Sequence, residues 1–76
     1  MTRLSEFEVG GRGRVLAVHG DDPVSLRLLE MGVTAGVHVE VIGAAPLGDP
    51  IELEIRGYRL SVRRSEAERI EVAEGE

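Results

Sequence analysis

The stretch IELEIRGYRLSV, residues 51–62, decides the fold because two strands and the turn between them can be read from it directly. Apolar and polar residues alternate on both sides of Arg56 and Gly57, which is the pattern of strands with one buried face. A two-residue loop at this point pairs Ile55 with Tyr58 and brings the apolar residues of both strands onto one face. Gly57 supplies the positive φ that a tight hairpin turn requires. We therefore predict a β-hairpin here.

The same period-two alternation predicts three further strands outside the hairpin. The five predicted strands cover residues 12–19, 37–42, 51–55, 58–63 and 69–72. In the first of them, the alternation places Val15, Ala17 and His19 on one face. Short strands joined by glycine-containing turns, with little helix between them, are typical of a small β-barrel.

One helix interrupts the strands, and both of its ends carry recognisable signals. Asp21 or Asp22 can serve as the N-cap, and Pro23 suits the first helical position. Gly32 is the residue expected immediately after the last turn. We therefore predict a helix over about residues 23–31.

The predicted helix distributes its apolar residues unevenly. Val24, Leu28 and Met31 fall on one face at helical spacing, and Leu29 widens that face. Leu26 falls on nearly the opposite side of the helix. The sequence therefore predicts an apolar residue on the helix surface that has no obvious place in the core.

The last part of the chain is predicted to contain one more helical turn, near residues 65–68, with Ser65 as its N-cap. Residues 73–76 are predicted to form a flexible tail. The predicted fold class is therefore mostly β: a small β-barrel of about five strands, with one short α-helix and one helical turn. Residues 1–76 are predicted to form a single domain.

Composition confines the chain to a few functional classes. Apolar residues make up 42% of the 76 residues and charged residues 30%, which fits a folded domain. No apolar run approaches the roughly 20 residues of a membrane span, and the N-terminus lacks the apolar segment of a signal peptide. We therefore expect a cytoplasmic location and no membrane insertion. The net charge of −5 argues against nucleic acid as a partner, because such binding rests on neutralised phosphates.

The residue patterns that usually carry catalysis are missing from the sequence. Glu52 and Glu54 share the outer face of a strand, where nothing would desolvate one of them and raise its pKa. The glycines of GGRG, residues 10–13, lack the spacing and the lysine of a phosphate-binding loop. The chain has no cysteine, so it has no cysteine nucleophile and no disulfide. We predict no enzymatic activity and no cofactor.

Two histidines are weak candidates for metal ligands. His19 and His38 could combine with nearby carboxylates, but they do not form an HxH or HxxxH pair. A tight site needs three or four converging ligands. We therefore predict no metal site, and His19 and His38 are expected to lie exposed on strands.

The segment AAPLGDP, residues 44–50, connects two predicted strands and is a candidate for a functional loop rather than a simple connection. Pro46 and Pro50 bracket a Gly-Asp turn, so the loop is stiff and its ordering costs little entropy. Leu47 lies at its apex. Two arrangements remain open at this point: Leu47 is displayed to a partner, or it folds back and closes one end of the barrel.

Two stretches resemble a known family. LRLLEMGVTAGVHVEV, residues 26–41, and APLGDPIELEIRGYRLSVRRSEAERIEV, residues 45–72, are similar to ferrous iron transport protein A, the FeoA family. The residues that carry the resemblance are Met31-Gly32, Gly36, Pro46 to Pro50, Gly57, Arg63-Arg64, Glu66-Ala67 and the closing Ile70-x-Val72. Residues 4–18 fit more loosely.

The resemblance implies an SH3-like fold and a non-catalytic, accessory or regulatory role in bacterial ferrous iron uptake. The implied partner is the membrane ferrous iron transporter, protein B, which carries a cytosolic GTP-binding domain. We take the surface that would bind it to be lined by helix and loop residues: Leu26, Leu29, Met31, Pro46, Leu47, Gly48 and Asp49. Gly32, Gly36 and Gly57 are assigned to structural turns.

Two alternative functions and one assembly question stay open at this stage. The chain could be the C-terminal SH3-like regulatory domain of a metal-dependent transcriptional repressor. It could also be a ferrous or transition-metal sensor, in which case His19 and His38 would bind the ion. Exposed edge strands in a small barrel also allow a homodimer.

Overall fold

The structure is a computed structural model that describes residues 2–75. In chain order, its elements are β1 (Thr2–Arg3), a 3-10 turn (Leu4–Glu6), β2 (Arg12–Val18), α1 (Pro23–Glu30), β3 (His38–Ala44), β4 (Ile51–Ile55), β5 (Tyr58–Val62), α2 (Arg64–Ala67) and β6 (Ile70–Glu74). No helix within residues 2–75 has the length and apolarity to cross a membrane.

The strands form one antiparallel sheet in the order β1-β6-β2-β3-β4-β5. The mostly β fold is confirmed. The sheet is open, however, because the outermost strands β1 and β5 do not pair with each other within the described residues. The expected closure into a barrel was wrong in this respect. With only two residues, β1 offers too few backbone groups to seal the sheet.

The β4–β5 hairpin has the predicted register. Ile55 pairs with Tyr58, and the pairing continues along both strands to Ile51 and Val62. The apolar residues of β4 are fully buried, whereas Tyr58 at the turn end remains 42% exposed. Arg56 has a positive φ of 54° beside Gly57 at 85°. Both central residues therefore have the conformation of a type I′ turn, which matches the twist of the flanking strands.

Strand β2 does not follow the predicted alternation. Its pairing with β6 shifts between Val15 and Ala17, so a bulge interrupts the ladder. Ala17 consequently pairs with Glu71 on the outer face, and Val18 packs against the core instead. The prediction that Ala17 and His19 share the face of Val15 was wrong, because the extra residue reverses the faces beyond it.

The core lies on one side of the sheet and is closed by the N-terminal turn and the two helices. Its buried apolar residues are Leu4, Phe7, Val15, Leu28, Val33, Val39, Val41, Ile51, Leu53, Ile55, Val62, Ala67, Ile70 and Val72. Leu4 and Phe7 come from a segment for which the sequence pattern predicted no element. The 3-10 turn positions them against the rest of the core.

Helix α1 begins and ends as predicted. The side chain of Asp22 accepts a hydrogen bond from the Ser25 amide at 3.2 Å, so Asp22 is the N-cap. Pro23 occupies the first helical position. The helix ends before Gly32, whose φ of 101° lies in the region that favours glycine.

Helix α2 begins one residue earlier than predicted. Arg63 is its N-cap residue, and Glu66 reaches back to accept the Arg63 amide at 3.0 Å. Ser65 therefore lies inside the helix, and its prediction as the cap was wrong.

The last strand also extends further than expected. Ala73 and Glu74 belong to β6 and pair with Arg14 and Gly13 of β2, so their assignment to a flexible tail was wrong. The register with β2 continues past Val72 because β2 is seven residues long. Glu76, the last residue of the predicted tail, lies outside the described residues.

Candidate functional site

The loop at residues 45–50, hereafter the display loop, is closed by its own backbone. The Gly48 amide donates to the Ala45 carbonyl at 2.7 Å, which forms a β-turn with Pro46 and Leu47 as its central residues. The Ala45 amide donates to the Pro50 carbonyl at 2.9 Å. Proline at the first central position presets φ for this turn. The loop therefore has a defined shape before any partner binds.

Leu47 is displayed to solvent. Its exposed fraction is 96%, the largest among the exposed large apolar residues of the described chain. Of the two arrangements left open by the sequence, the structure adopts display and not closure of the sheet. Pro46 and Asp49 are also exposed, and Gly48 is half-buried.

Arg64, the first residue of α2, forms hydrogen bonds with the display loop and with the 3-10 turn. Its Nε donates to the Gly48 carbonyl at 2.6 Å, and its backbone amide donates to Asp49 Oδ1 at 3.0 Å. Its Nη1 donates to the Ser5 carbonyl at 2.6 Å. Sequence reasoning noted Arg64 only as part of the family pattern. Nothing in its local sequence signals the contacts with Ser5 and Gly48, which are far away along the chain.

The exposed apolar residues of α1 form the other half of the predicted surface. Leu26 is 55% exposed and Leu29 is 41% exposed. They are three residues apart, so they are neighbours on the helix surface. Met31, the third predicted helix residue, is half-buried and packs against the core. The exposed apolar part of α1 is therefore the pair Leu26 and Leu29.

Helix α1 is anchored on its inner face and at its C-terminal end. Leu28 is fully buried, and Val24 packs beside the core. The Tyr58 hydroxyl donates a hydrogen bond to the Met31 carbonyl. Carbonyls at a helix end lack intrahelical partners, so Tyr58 ties this end of α1 to the β4–β5 hairpin.

Helix α2 is the element that connects the two halves. Arg27 of α1 forms an ion pair with Glu66 of α2, and Arg64 of α2 bonds the display loop. No hydrogen bond or ion pair within residues 2–75 joins the display loop directly to α1. The structure therefore links α1 and the display loop each to α2, without a polar contact between α1 and the loop within residues 2–75.

Two carboxylates, Asp22 at the start of α1 and Glu71 on β6, have lowered pKa values. The Ser25 backbone amide and the nearby Arg69 guanidinium lower the pKa of Asp22. The hydrogen bond from His19 lowers the pKa of Glu71, and the charges of His19 and Arg3 act in the same direction.

The two histidines occupy separate environments. His19 Nε2 lies 2.7 Å from Glu71 Oε1, and His38 is exposed on β3. No group of three or more histidine or acidic side chains converges as a metal site anywhere in residues 2–75. The glycines assigned to turns, Gly32, Gly36 and Gly57, all have positive φ.

The sequence matches the model of a known protein family over almost its whole length. The model of the FeoA domain matches residues 2–74. This chain belongs to the FeoA domain family. A curated relative in Porphyromonas gingivalis, a fusion of Fe(2+) transport protein A with the Fe(2+) transporter FeoB, is 40% identical to this FeoA domain over 70 residues. The match covers 92% of this chain and 8% of the fusion protein, so the chain spans a small fraction of that relative.

Solved structures agree with this assignment. The solution structure of FeoA from Chlorobium tepidum is 42% identical, with a TM-score of 0.85 over 93% of this FeoA domain and 68% of that chain. The zinc complex of FeoA from Stenotrophomonas maltophilia is 30% identical, with a TM-score of 0.83 over 96% and 91% of the two chains. That protein is described as a prokaryotic SH3 domain protein and a candidate activating factor of bacterial ferrous iron transport. The expected SH3-like fold is thereby confirmed.

The fold also occurs outside the family. A manganese-dependent transcriptional repressor superposes on this FeoA domain with a TM-score of 0.84 at 18% identity, over 96% of this chain and 41% of the repressor. Identity this low shows a shared fold and gives no argument for a shared function.

Proposed function

We propose that this chain is a cytoplasmic accessory protein of ferrous iron uptake, which acts without catalysis by binding the membrane transporter, protein B. The observation that carries the proposal is the Porphyromonas gingivalis fusion, in which the related domain and the transporter are one polypeptide. Fusion keeps a domain at high effective concentration beside its target. A separate chain would have to reach the same target through a binding surface of its own.

The proposed surface consists of the display loop and the exposed pair on α1. Leu47, Leu26 and Leu29 present apolar side chains to solvent, which is the usual chemistry at the centre of a protein interface. The display loop is closed by backbone hydrogen bonds, so little conformational entropy is lost when it binds. The homodimer stays a prediction, for which the edge strand β5 supplies backbone groups.

The test is binding of the full chain to the transporter of the same organism, reconstituted in lipid nanodiscs. We expect the wild type to bind and the double variant Leu26→Asp, Leu47→Asp to bind at least tenfold more weakly, because each aspartate would have to be desolvated at the interface. Val9→Asp is the matched control, since Val9 is 60% exposed and belongs to neither half of the surface. Amide spectra of all variants establish that they are folded.

Each result has a definite meaning. A wild type that does not bind the transporter contradicts the proposed function. A double variant that binds as well as the wild type contradicts the surface and leaves the function standing. A separate anaerobic titration with ferrous iron addresses the alternative of a metal sensor, which would require amide shifts centred on His19 and His38.

A further inference from the structure

One guanidinium group joins two segments that are distant in sequence. Arg64 donates through Nε to the Gly48 carbonyl of the display loop and through Nη1 to the Ser5 carbonyl of the 3-10 turn, both at 2.6 Å. Both contacts are partly buried. Arginine suits this position because its planar fork can serve two acceptors at fixed angles.

At its base the display loop continues β3 and β4, where Ala44 pairs with Ile51. Beyond that pairing, its hydrogen bonds to the rest of residues 2–75 are those with Arg64. Leu47 is almost fully exposed, so the side chain at the apex contributes no packing. The hydrogen bonds of Ala45 with Gly48 and Pro50 fix the shape of the loop but not its placement. Its placement relative to α2 rests on the Gly48 carbonyl and the Asp49 carboxylate, which both bond Arg64.

We propose that Arg64 is a positioning residue for partner binding: its side chain holds the display loop in the orientation that presents Leu47. This inference rests on the proposed function, because it concerns the same binding surface. It adds a residue outside that surface, acting through the loop. Loss of the side chain leaves the backbone bond to Asp49 as the remaining hydrogen bond between the loop and α2, and it lowers the population of the presented orientation.

The expected effect on affinity follows from that population. The apparent Kd rises in inverse proportion to the fraction of molecules in the binding-competent state. If Arg64→Ala leaves about a tenth of the molecules with the loop in place, the Kd for the transporter rises about tenfold. Arg64→Lys keeps the charge but serves a single acceptor at a time, so we expect an intermediate Kd.

The experiment measures the mobility of the display loop and the affinity for the transporter separately. In the free full chain, the backbone order parameter of the Gly48 amide is expected to fall from about 0.85 to below about 0.6 in Arg64→Ala. Binding to the transporter in nanodiscs then gives the Kd. Arg63→Ala is the matched control, because it removes the same charge from the exposed neighbouring position, and we expect it to change neither quantity. If Arg64→Ala proves unfolded, the same comparison is made with Arg64→Lys.

A double-variant comparison separates positioning from direct contact. If Arg64 acts through the loop, Arg64→Ala adds little to the Kd once Leu47→Ala has removed the presented side chain. Additive losses would mean that Arg64 touches the partner itself, and they would overturn the inference. An unchanged Gly48 order parameter, or a loosened loop with wild-type affinity, would also overturn it while the proposed function stands. A wild type that does not bind the transporter overturns both.

Discussion

The display loop and helix α1 both present leucines to solvent, but they are held in different ways. In α1, Leu26 and Leu29 lie on a helix whose opposite face inserts the fully buried Leu28 into the core. In the display loop, Leu47 is almost fully exposed and inserts nothing into the core, and beyond the paired strands at its base the loop is tied to α2 by the hydrogen bonds of Arg64. The helix half of the surface is therefore coupled to global stability, and the loop half is not. Segments with few buried contacts can loosen locally while the domain stays folded.

The strongest test of this comparison is to truncate leucines in both regions. Leu28→Ala is expected to lower the free energy of unfolding by about 3 kcal/mol, because it removes a buried side chain and leaves a cavity. A domain of this size has only about 3–5 kcal/mol of stability from its core, so the variant should be partly unfolded at 25 °C. Urea denaturation followed by circular dichroism measures the change.

Leu26→Ala and Leu47→Ala are the matched controls, since they remove the same atoms from exposed positions. Each is expected to change the free energy of unfolding by less than about 0.5 kcal/mol. A loss at Leu47 comparable to that at Leu28 would show that the display loop is part of the core after all.

A second test weakens the hydrogen bond of Tyr58 at the C-terminal end of α1. Gly32 has a φ of 101°, and a Cβ at this position would clash with the Tyr58 hydroxyl oxygen. Gly32→Ala should therefore strain the backbone and displace the hydroxyl that bonds the Met31 carbonyl. We expect a loss of about 2 kcal/mol in the free energy of unfolding.

Gly36→Ala separates the two contributions. Gly36 has a φ of 93°, but no atom lies within 4 Å of the added Cβ, so only the strain of about 1 kcal/mol applies. In a Tyr58→Phe background, Gly32→Ala should cost no more than Gly36→Ala. Equal losses for the two glycines in the wild-type background would mean that Tyr58 does not anchor α1.

The features that could be predicted from the sequence are those with local signals. The β4–β5 hairpin follows from alternation and from the glycine at its turn, and the ends of α1 follow from Asp22, Pro23 and Gly32. The exposure of Leu26 follows from helical spacing. In the same way, the prolines of residues 46–50 indicate a stiff loop. Each of these signals lies within a few residues of the feature it predicts.

The features that escaped prediction depend on contacts between distant residues. The bulge beyond Val15 is set by the register of β2 against β6, and alternation within one strand cannot show it. Phe7 becomes buried through a 3-10 turn that has no periodicity to detect. The role of Arg64 depends on carbonyls at Ser5 and Gly48, which adjoin only after folding.

The last and smallest effect concerns the start of α1, which responds to pH. The folded-state pKa of Asp22 is lowered by the Ser25 amide and by Arg69, so its contribution to stability is present above the ordinary carboxylate pKa of about 4. That contribution is lost as the pH falls through the lowered pKa. The turn of the display loop is closed by the backbone groups of Ala45 and Gly48, which do not titrate in this range.

The variant Asp22→Asn isolates this charge, because asparagine also caps helices but carries no titrating carboxyl. We expect its urea midpoint to fall less than that of the wild type when the pH is lowered from 6 to 3. Asp21→Asn is the control, since Asp21 is exposed and makes no side-chain hydrogen bond in the described chain. Its midpoint should follow the wild type. If Asp22→Asn followed the wild type as well, the acid response would have to come from other carboxylates such as Glu71, whose pKa is also lowered. The N-terminal end of α1 would then be as insensitive to acid as the turn of the display loop.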